Sequence, residues 1–416
     1  MSVTEAEVFG QAVDQAGFLW HQRDAAAAGD PRYTLNDLAE LDARLDAQLT
    51  LLRRAGKTGW ELTLAAAAEG GAGEIFAALA LSLARRDPEG AAPLLARAMD
   101  DPALARGAAS AFGWATADEV KDALPALLLP DAPPALQAIG IAACAARRRD
   151  PGVALTHALR ADHPPLRARA LRAVGELGHE ARLADLKSAL RADDPTIRLW
   201  GAWSAALLGD LTGADVLLEI AAAAGPAADR AVAMAMPRLG PLAGARWLRR
   251  LPDAGPPARV AVVAAGALGD PALVPWLIER MRTPHLARAA VASLALITGV
   301  DLEKDKLEGP PLDDTGPTDD PDDEHVSLDL DDAWPWPDAP AIERWWTRRR
   351  TEFTAGRRYL SGKPVDLAWV NDVLRTGIQP ARRAAAVERC LLRPRQGLYE
   401  VRARGERQRA ELGQRQ

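Results

Sequence analysis

The chain has 416 residues and only two cysteines, Cys144 and Cys390. No disulfide framework or thiolate metal centre can be built from them; a single bridge is the most they could form, and this fits a reducing compartment. Phe and Tyr number five and three, against twelve Trp. β-Branched residues are also few, and sheets are built from β-branched and aromatic types, so β architectures are disfavoured. No apolar run reaches the ~20 residues of a bilayer-spanning helix. The longest uncharged stretch, Ala132–Ala146, contains Pro133 and Pro134. The start, Met1-Ser2-Val3-Thr4-Glu5-Ala6-Glu7, is acidic and lacks the basic start and apolar core of a signal peptide. Together these absences predict a soluble cytoplasmic protein with no membrane partner.

What is abundant is Ala and Leu, both strong helix formers. Hydrophobic residues make up 48% and charged residues 26%, the balance of a soluble globular chain. The length is too great for one small core and suggests several domains or one long repeat array.

Four segments share an ending: Glu176-Leu177-Gly178, Leu208-Gly209-Asp210, Leu239-Gly240-Pro241 and Leu268-Gly269-Asp270, with a fifth at Thr298-Gly299. Their glycines are 31, 31, 29 and 30 residues apart. Each glycine closes an Ala-rich run and suits the left-handed residue beyond a helix C-terminus. Before each run stands a breaker: His163-Pro164-Pro165, Asp194-Pro195, Ala224-Gly225-Pro226, Gly255-Pro256-Pro257 and Thr283-Pro284. Pro fits a first helical turn and Asp fits an N-cap. Each unit therefore reads as helix A, a turn, helix B and a Gly stop. This pattern resembles HEAT-like repeats, and six to eight hairpins are expected across 59–302. One hairpin cannot bury its apolar face alone, so stacked copies must share a core and need caps.

Thr34-Leu35-Asn36-Asp37 has the signature of a capped helix start. Leu35, Leu38, Leu41, Leu45, Leu49 and Leu52 then fall on one helix face. Residues 1–58 are read as a helical hairpin cap, with a partner-binding coiled-coil hairpin as the alternative. Gly309 to Asp332 holds ten acids and no Lys or Arg. Residues 303–333 are read as an acidic, Pro-containing linker or loop, the alternatives being a nucleic-acid mimic or a strap on the basic tail. Residues 334–416 are read as a small, basic, Trp- and Arg-rich helical domain. From Pro340 onward there are 18 Lys plus Arg against 8 Asp plus Glu, +10, so the remainder of this −6 chain carries −16. The two parts should attract one another, or the tail should seek an acidic partner. The fold expected is all-α: an alpha-alpha superhelix, a HEAT-like solenoid with an N-terminal cap and a C-terminal helical domain.

The chain also resembles a particular family. The resemblance rests on Phe18-Leu19-Trp20-His21-Gln22-Arg23 with Tyr33-Thr34-Leu35, on the repeats, and on Trp345-Trp346. It continues through Arg357-Arg358-Tyr359-Leu360-Ser361-Gly362-Lys363-Pro364 and Arg382-Arg383-Ala384-Ala385-Ala386. These look like an uncharacterised proteobacterial HEAT-repeat family whose genes often lie in type VI secretion clusters, near adaptor and spike-tip genes. The resemblance spans nearly the whole chain, and its C-terminal motif is the most specific part. It implies a secretion-linked accessory role and supplies no catalytic residues.

Catalytic motifs are not found. Gly56-Lys57-Thr58 invites a P-loop reading, but the earlier glycine of that motif is replaced by Leu51 and the segment follows a helix, so a helix stop is expected. None of the six histidines, His21, His157, His163, His179, His285 and His325, forms a metal-ligand pattern, and no metal or other cofactor is expected. Trp200, Trp203, Arg167, Arg169, Arg172 and Arg198 could furnish the basic aromatic face of a HEAT-like DNA glycosylase. The acidic balance of the solenoid argues against that, because duplex binding needs a positive stripe, and nucleic acid is disfavoured as a partner. Core packing is the competing reading for Trp200 and Trp203. Arg348, Arg349 and Arg350 with Arg357 and Arg358 form the densest basic cluster, either a solvated face or a docking patch.

The expectation is a non-enzymatic scaffold or adaptor for type VI secretion, with an immunity protein that neutralises a toxin as the alternative. The partner expected is a secretion effector, a spike-tip protein or a chaperone. Candidate partner-binding residues are Arg169, Arg198, Trp200, Trp203, Arg348, Arg349, Arg357, Arg358 and Tyr359.

Overall fold

Between the Pro and Gly breakers the Ala- and Leu-rich runs become helices. The computed structural model describes residues 5–252, 254–312, 331–393 and 396–413. Helices α1 (Glu5–Gly29) and α2 (Leu35–Arg54) come first. The A helices are α3 (Gly56–Glu69), α5 (Pro88–Asp100), α7 (Ala123–Leu127), α9 (Val153–Ala158), α11 (Leu183–Ala189), α13 (Leu211–Ala222), α15 (Pro241–Leu248) and α17 (Val274–Arg280). They alternate with the B helices α4 (Ala72–Arg85), α6 (Pro102–Trp114), α8 (Pro134–Ala146), α10 (Pro164–Leu177), α12 (Pro195–Leu207), α14 (Ala228–Leu239), α16 (Pro256–Leu268) and α18 (Pro284–Thr298). The fold is all-α, with helices in consecutive pairs as in a HEAT-like solenoid. The predicted breakers act as expected: Asp194 accepts from the backbone N–H groups of Thr196 and Ile197, and Gly178 and Gly269 hold left-handed conformations that few other residues tolerate.

The chain divides into two compact units. The first contains Met1–Gly29, Tyr33–Ser204 and Arg395–Gln416; the second contains Asp30–Arg32 and Ala205–Pro394. This division cuts the chain differently from the boundaries read at 58, 302 and 333.

In the first unit, α1 packs on α2, α3 and α4. Thr34 caps α2 with a reciprocal bond to Asp37, and the six leucines of the predicted stripe are all buried. Gly56, with positive φ, opens α3 directly after Ala55 closes α2, so the segment lies at a helix boundary, and Gly70 caps the end of α3. Helix α4 packs on α6, α6 on α8 and α8 on α10. Small residues set this spacing. The Ser204 hydroxyl, fully buried, donates to the Leu171 carbonyl at 2.7 Å, and a Cβ added at Gly175 would meet Ser204 Oγ at 2.5 Å.

The second unit repeats the device on its own helices. Helix α14 packs on α16 and α16 on α18. The Ser293 hydroxyl donates to the Val262 carbonyl at 2.9 Å, and a Cβ on Gly266 would lie 2.7 Å from Ser293 Oγ and 2.8 Å from its Cα. In both units the serine reaches the carbonyl one turn before the glycine of the preceding B helix. Gly175→Ala and Gly266→Ala should each cost about 1–3 kcal/mol, because a backbone atom sits where the methyl must go. Gly10 has open space around it. Gly10→Ala should be neutral or stabilising by up to about 1 kcal/mol. Equal unfolding midpoints for Gly10→Ala and Gly266→Ala would show that the close approach carries no energy.

The C-terminal residues also build helices α19 (Ala339–Arg349), α20 (Leu367–Thr376), α21 (Gln379–Leu392) and α22 (Gly405–Glu411). The sequence reading expected only helices here, but β1 (Tyr359–Leu360) and β2 (Lys363–Pro364) form an antiparallel hairpin. Its two-residue loop, Ser361-Gly362, has positive φ at both positions, the turn that matches strand twist. Residues up to Pro394 belong to the second unit and those from Arg395 to the first.

In each unit these residues satisfy carbonyls at B-helix C-termini, which have no partner within the helix. In the second unit, Arg358 Nε donates to Leu268 O at 3.1 Å and Nη1 to Pro237 O at 3.2 Å. Tyr359 N donates to Gly269 O at 2.8 Å, Ser361 N to Leu296 O at 2.7 Å and Gly362 N to Ile297 O at 3.0 Å. In the first, Leu398 N donates to Glu176 O at 3.0 Å and Arg407 Nη1 to Ala146 O at 2.8 Å. Cations at helix C-termini also complement the macrodipole, so Arg358 and Arg407 have an internal use.

The acidic linker expected at 303–333 falls largely outside the described residues. Of its described ends, Gly309 N donates to Trp336 O at 2.8 Å, and Asp331 and Asp332 meet arginines of α16 and α18.

Candidate protein-docking surface

Helix α10 places Arg172 four residues and Arg169 seven residues before Glu176, one and two turns away on the same face. Arg169 Nη2 donates to one carboxylate oxygen and Arg172 Nε to the other, at 2.8 Å for the second. Glu176 is 5% exposed. Burial alone would raise its pKa, but the guanidinium groups of Arg169, Arg172 and Arg148 outweigh burial and hold the carboxyl at about 2. A carboxylate fixed in its ionised form is a poor proton donor or acceptor near neutral pH, so it does not fit a catalytic acid or base.

Arg172 also lies over the Trp200 ring, 4.5 Å from its centroid, and Trp200 meets Trp203 edge-on at 5.6 Å. Trp203 is buried in the core, as the packing reading expected, whereas Trp200 is half-buried. Arg198 Nε donates to the Leu190 carbonyl at 3.2 Å, tying α12 to the end of α11. Arg169 and Trp203 therefore serve the interior, while Arg172, 43% exposed along its side chain, and Trp200 offer a guanidinium stacked on an indole. Such a pair suits acidic or aromatic side chains of a protein partner.

In the second unit the candidate residues separate in the same way. Tyr359 is buried, its hydroxyl accepting from Thr354 N at 3.0 Å, and Arg358 is held by Glu388 and two helix ends. Neither can form a docking patch, because each is committed to closing the hairpin against α16 and α18. Arg348, Arg349 and Arg357 are exposed. Arg349 pairs with Glu352 at 2.8 Å and covers Trp345 at 5.2 Å. Arg348 lines a shallow depression of about 460 Å³ on α19 with Pro340, Glu343, Arg344 and Thr347. Of the nine predicted residues, four lie in the first unit and five in the second. Arg259 and Arg288, on α16 and α18, are already engaged by Asp331 and Asp332, and Arg288 also lies 4.7 Å over Trp336.

Several exposed apolar residues escaped the sequence reading, Leu211 and Leu242 among them. These two are 57% and 80% exposed at the starts of α13 and α15. Each stands two residues after a Gly stop, at Gly209-Asp210-Leu211 and Gly240-Pro241-Leu242, so the repeat period was a signal that could have marked them.

Among the described residues no group of three or more His, Cys, Asp or Glu is arranged to hold a metal ion. His163 instead caps α10, its Nδ1 accepting from Leu166 N at 3.3 Å. Cys144 and Cys390 are buried and form no disulfide, and burial pushes the Cys144 thiol up to about 11, away from the reactive thiolate. No helix among the described residues is long and apolar enough to cross a membrane.

Neither a curated protein nor a solved structure matches the chain. A family profile for HEAT repeats matches residues 153–237, from α9 into α14, and this portion of the chain is therefore HEAT repeat, an architecture whose stacked helices present extended binding surfaces to other proteins.

Proposed function

We propose that the protein is a non-enzymatic scaffold or adaptor that binds a protein partner, as an accessory of type VI secretion in effector or spike-tip loading. The observation that carries the scaffold reading is the run of paired helices with its HEAT match over 153–237. The secretion assignment rests on the resemblance of the C-terminal motif around Arg357–Pro364. The half-buried Arg172–Trp200 pair, and exposed Arg348 and Arg357, are the surfaces that suit such a partner.

The test is recovery from the native host with the tagged full-length chain, after cross-linking. A spike-tip protein, secreted effector or its chaperone should co-purify, and deletion of the gene should stop export of that effector. Normal export after deletion, with no such protein recovered, would remove the secretion role. Growth arrest relieved by loss of a neighbouring toxin gene would instead establish the immunity reading, which the acidic balance outside the tail favours.

A further inference from the structure

The first unit contains a cleft of about 380 Å³ between the ends of α6 and α8 and helix α22. Three arginines line it, Arg147, Arg404 and Arg407, together with Trp114 and Glu406. Arg404 is neutralised by Asp46, which also accepts from Trp114 Nε1 at 3.0 Å. Among the described residues the other two arginines hydrogen-bond only to carbonyls. Arg147 Nη1 donates to Phe112 O at 2.9 Å and Ala115 O at 2.6 Å, and Arg407 Nη1 to Ala146 O.

A guanidinium has five N–H donors. The Nε and Nη2 groups of Arg147 and Arg407 have no acceptor among the described residues, and none of these atoms is sealed from solvent. Capping helix ends therefore accounts for one nitrogen of each. Among the described residues neither guanidinium has a carboxylate at ion-pair distance, Glu119 acting on Arg147 and Glu400 and Glu411 on Arg407 only from further off, and both line one cleft. Burial and the proximity of Arg407 and Arg149 push Arg147 below its ordinary pKa, and burial and Arg148 do the same to Arg407. The two cations are thus close enough to repel each other, and an anion between them would relieve that repulsion.

We propose that this cleft is a binding site for a carboxylate-bearing peptide segment, an Asp- or Glu-rich stretch of a partner protein held by Arg147 and Arg407. Charge complementarity selects the occupant. The positive groups form one compact cluster rather than the stripe that a nucleic-acid backbone requires. The planar forks of two arginines fit paired carboxylate oxygens. Glu406 also lines the cleft, so an incoming carboxylate meets one like charge there. The proposal rests on the scaffold reading, since it names a surface through which a protein partner would be held.

The experiment is fluorescence anisotropy of a labelled hexaglutamate peptide titrated with the full-length chain. Saturable binding is expected, weakened about tenfold by Arg407→Gln and strengthened by Glu406→Gln, a change that loss of a structural cap would not produce. Arg407→Lys should keep most of the affinity, and circular dichroism checks that each variant is folded. Hexaglutamine should not bind. Unchanged affinity in both Arg407→Gln and Glu406→Gln would overturn the proposal, as would equal binding of hexaglutamine. Displacement of the peptide by millimolar inorganic phosphate, beyond that caused by chloride at matched ionic strength, would also overturn it and identify a phosphate site. Arg407→Gln protein that still recovers its native partner would remove the cleft while leaving the scaffold intact.

Discussion

Arg358→Ala should destabilise the second unit by about 3–5 kcal/mol, the range found when one member of a buried ion pair is removed. Arg358 donates to both carboxylate oxygens of Glu388, which is only 4% exposed, and to the terminal carbonyls of α14 and α16. The truncated variant leaves a buried carboxylate without its counter-charge and two helix ends without donors. Lysine should recover only part of the loss, because a single ammonium cannot reach three acceptor groups held in fork geometry. Glu388→Gln should be milder, since the amide oxygen still accepts from the guanidinium. Hydrogen exchange gives the sharpest readout: amides of α16 and α18 should lose protection, while those of α4 and α6 should not. An alanine variant whose α16 and α18 amides exchange at the native rate would show that the ion pair is dispensable.

That arginine illustrates what the sequence could and could not reveal. Local rules carried the helices. The Leu35–Leu52 stripe, the Thr34 cap, the Pro starts and the Gly stops are encoded within one or two turns, and the structure reproduces them. The roles of the tail residues are not local. Arg358 reaches acceptors 90 and 121 positions away, and nothing in Gly356-Arg357-Arg358-Tyr359 distinguishes an arginine that closes helix ends from one that faces solvent. The reading of the tail as a docking patch followed charge density alone and so grouped buried Tyr359 and committed Arg358 with exposed Arg357. The hairpin was missed for a related reason. Its strands are two residues long, too short for any alternation, and they are fixed by bonds to the ends of α16 and α18. The cleft of Arg147 and Arg407 was invisible because its members lie 260 positions apart by number.

Acid titration should expose the Glu176 cluster. The carboxyl sits at about 2 in the folded chain against an ordinary value of 4.5, because the arginines around it outweigh its burial. A depressed folded pKa means that the unfolded chain binds the proton first as pH falls. The stabilisation is therefore complete above about pH 4.5 and is lost progressively down to about pH 2, with a size of about 3 kcal/mol for this one group. Glu176→Gln should remove most of that dependence while preserving shape and an acceptor oxygen. It should also lower stability at neutral pH by a comparable amount, since Arg169 and Arg172 would then face each other without a counter-charge. Other carboxylates titrate in the same window, so the informative quantity is the difference between the two proteins. Unfolding midpoints measured from pH 6 to pH 2.5 should converge as pH falls, because protonated Glu176 and glutamine present the arginines with the same neutral group. Curves that stay parallel across that range would mean that the carboxylate's charge contributes nothing. The consequence extends to the surface. Arg172 is held over Trp200 by the same carboxylate, so acidification should free its guanidinium and weaken any partner contact built on that pair, even before the unit unfolds.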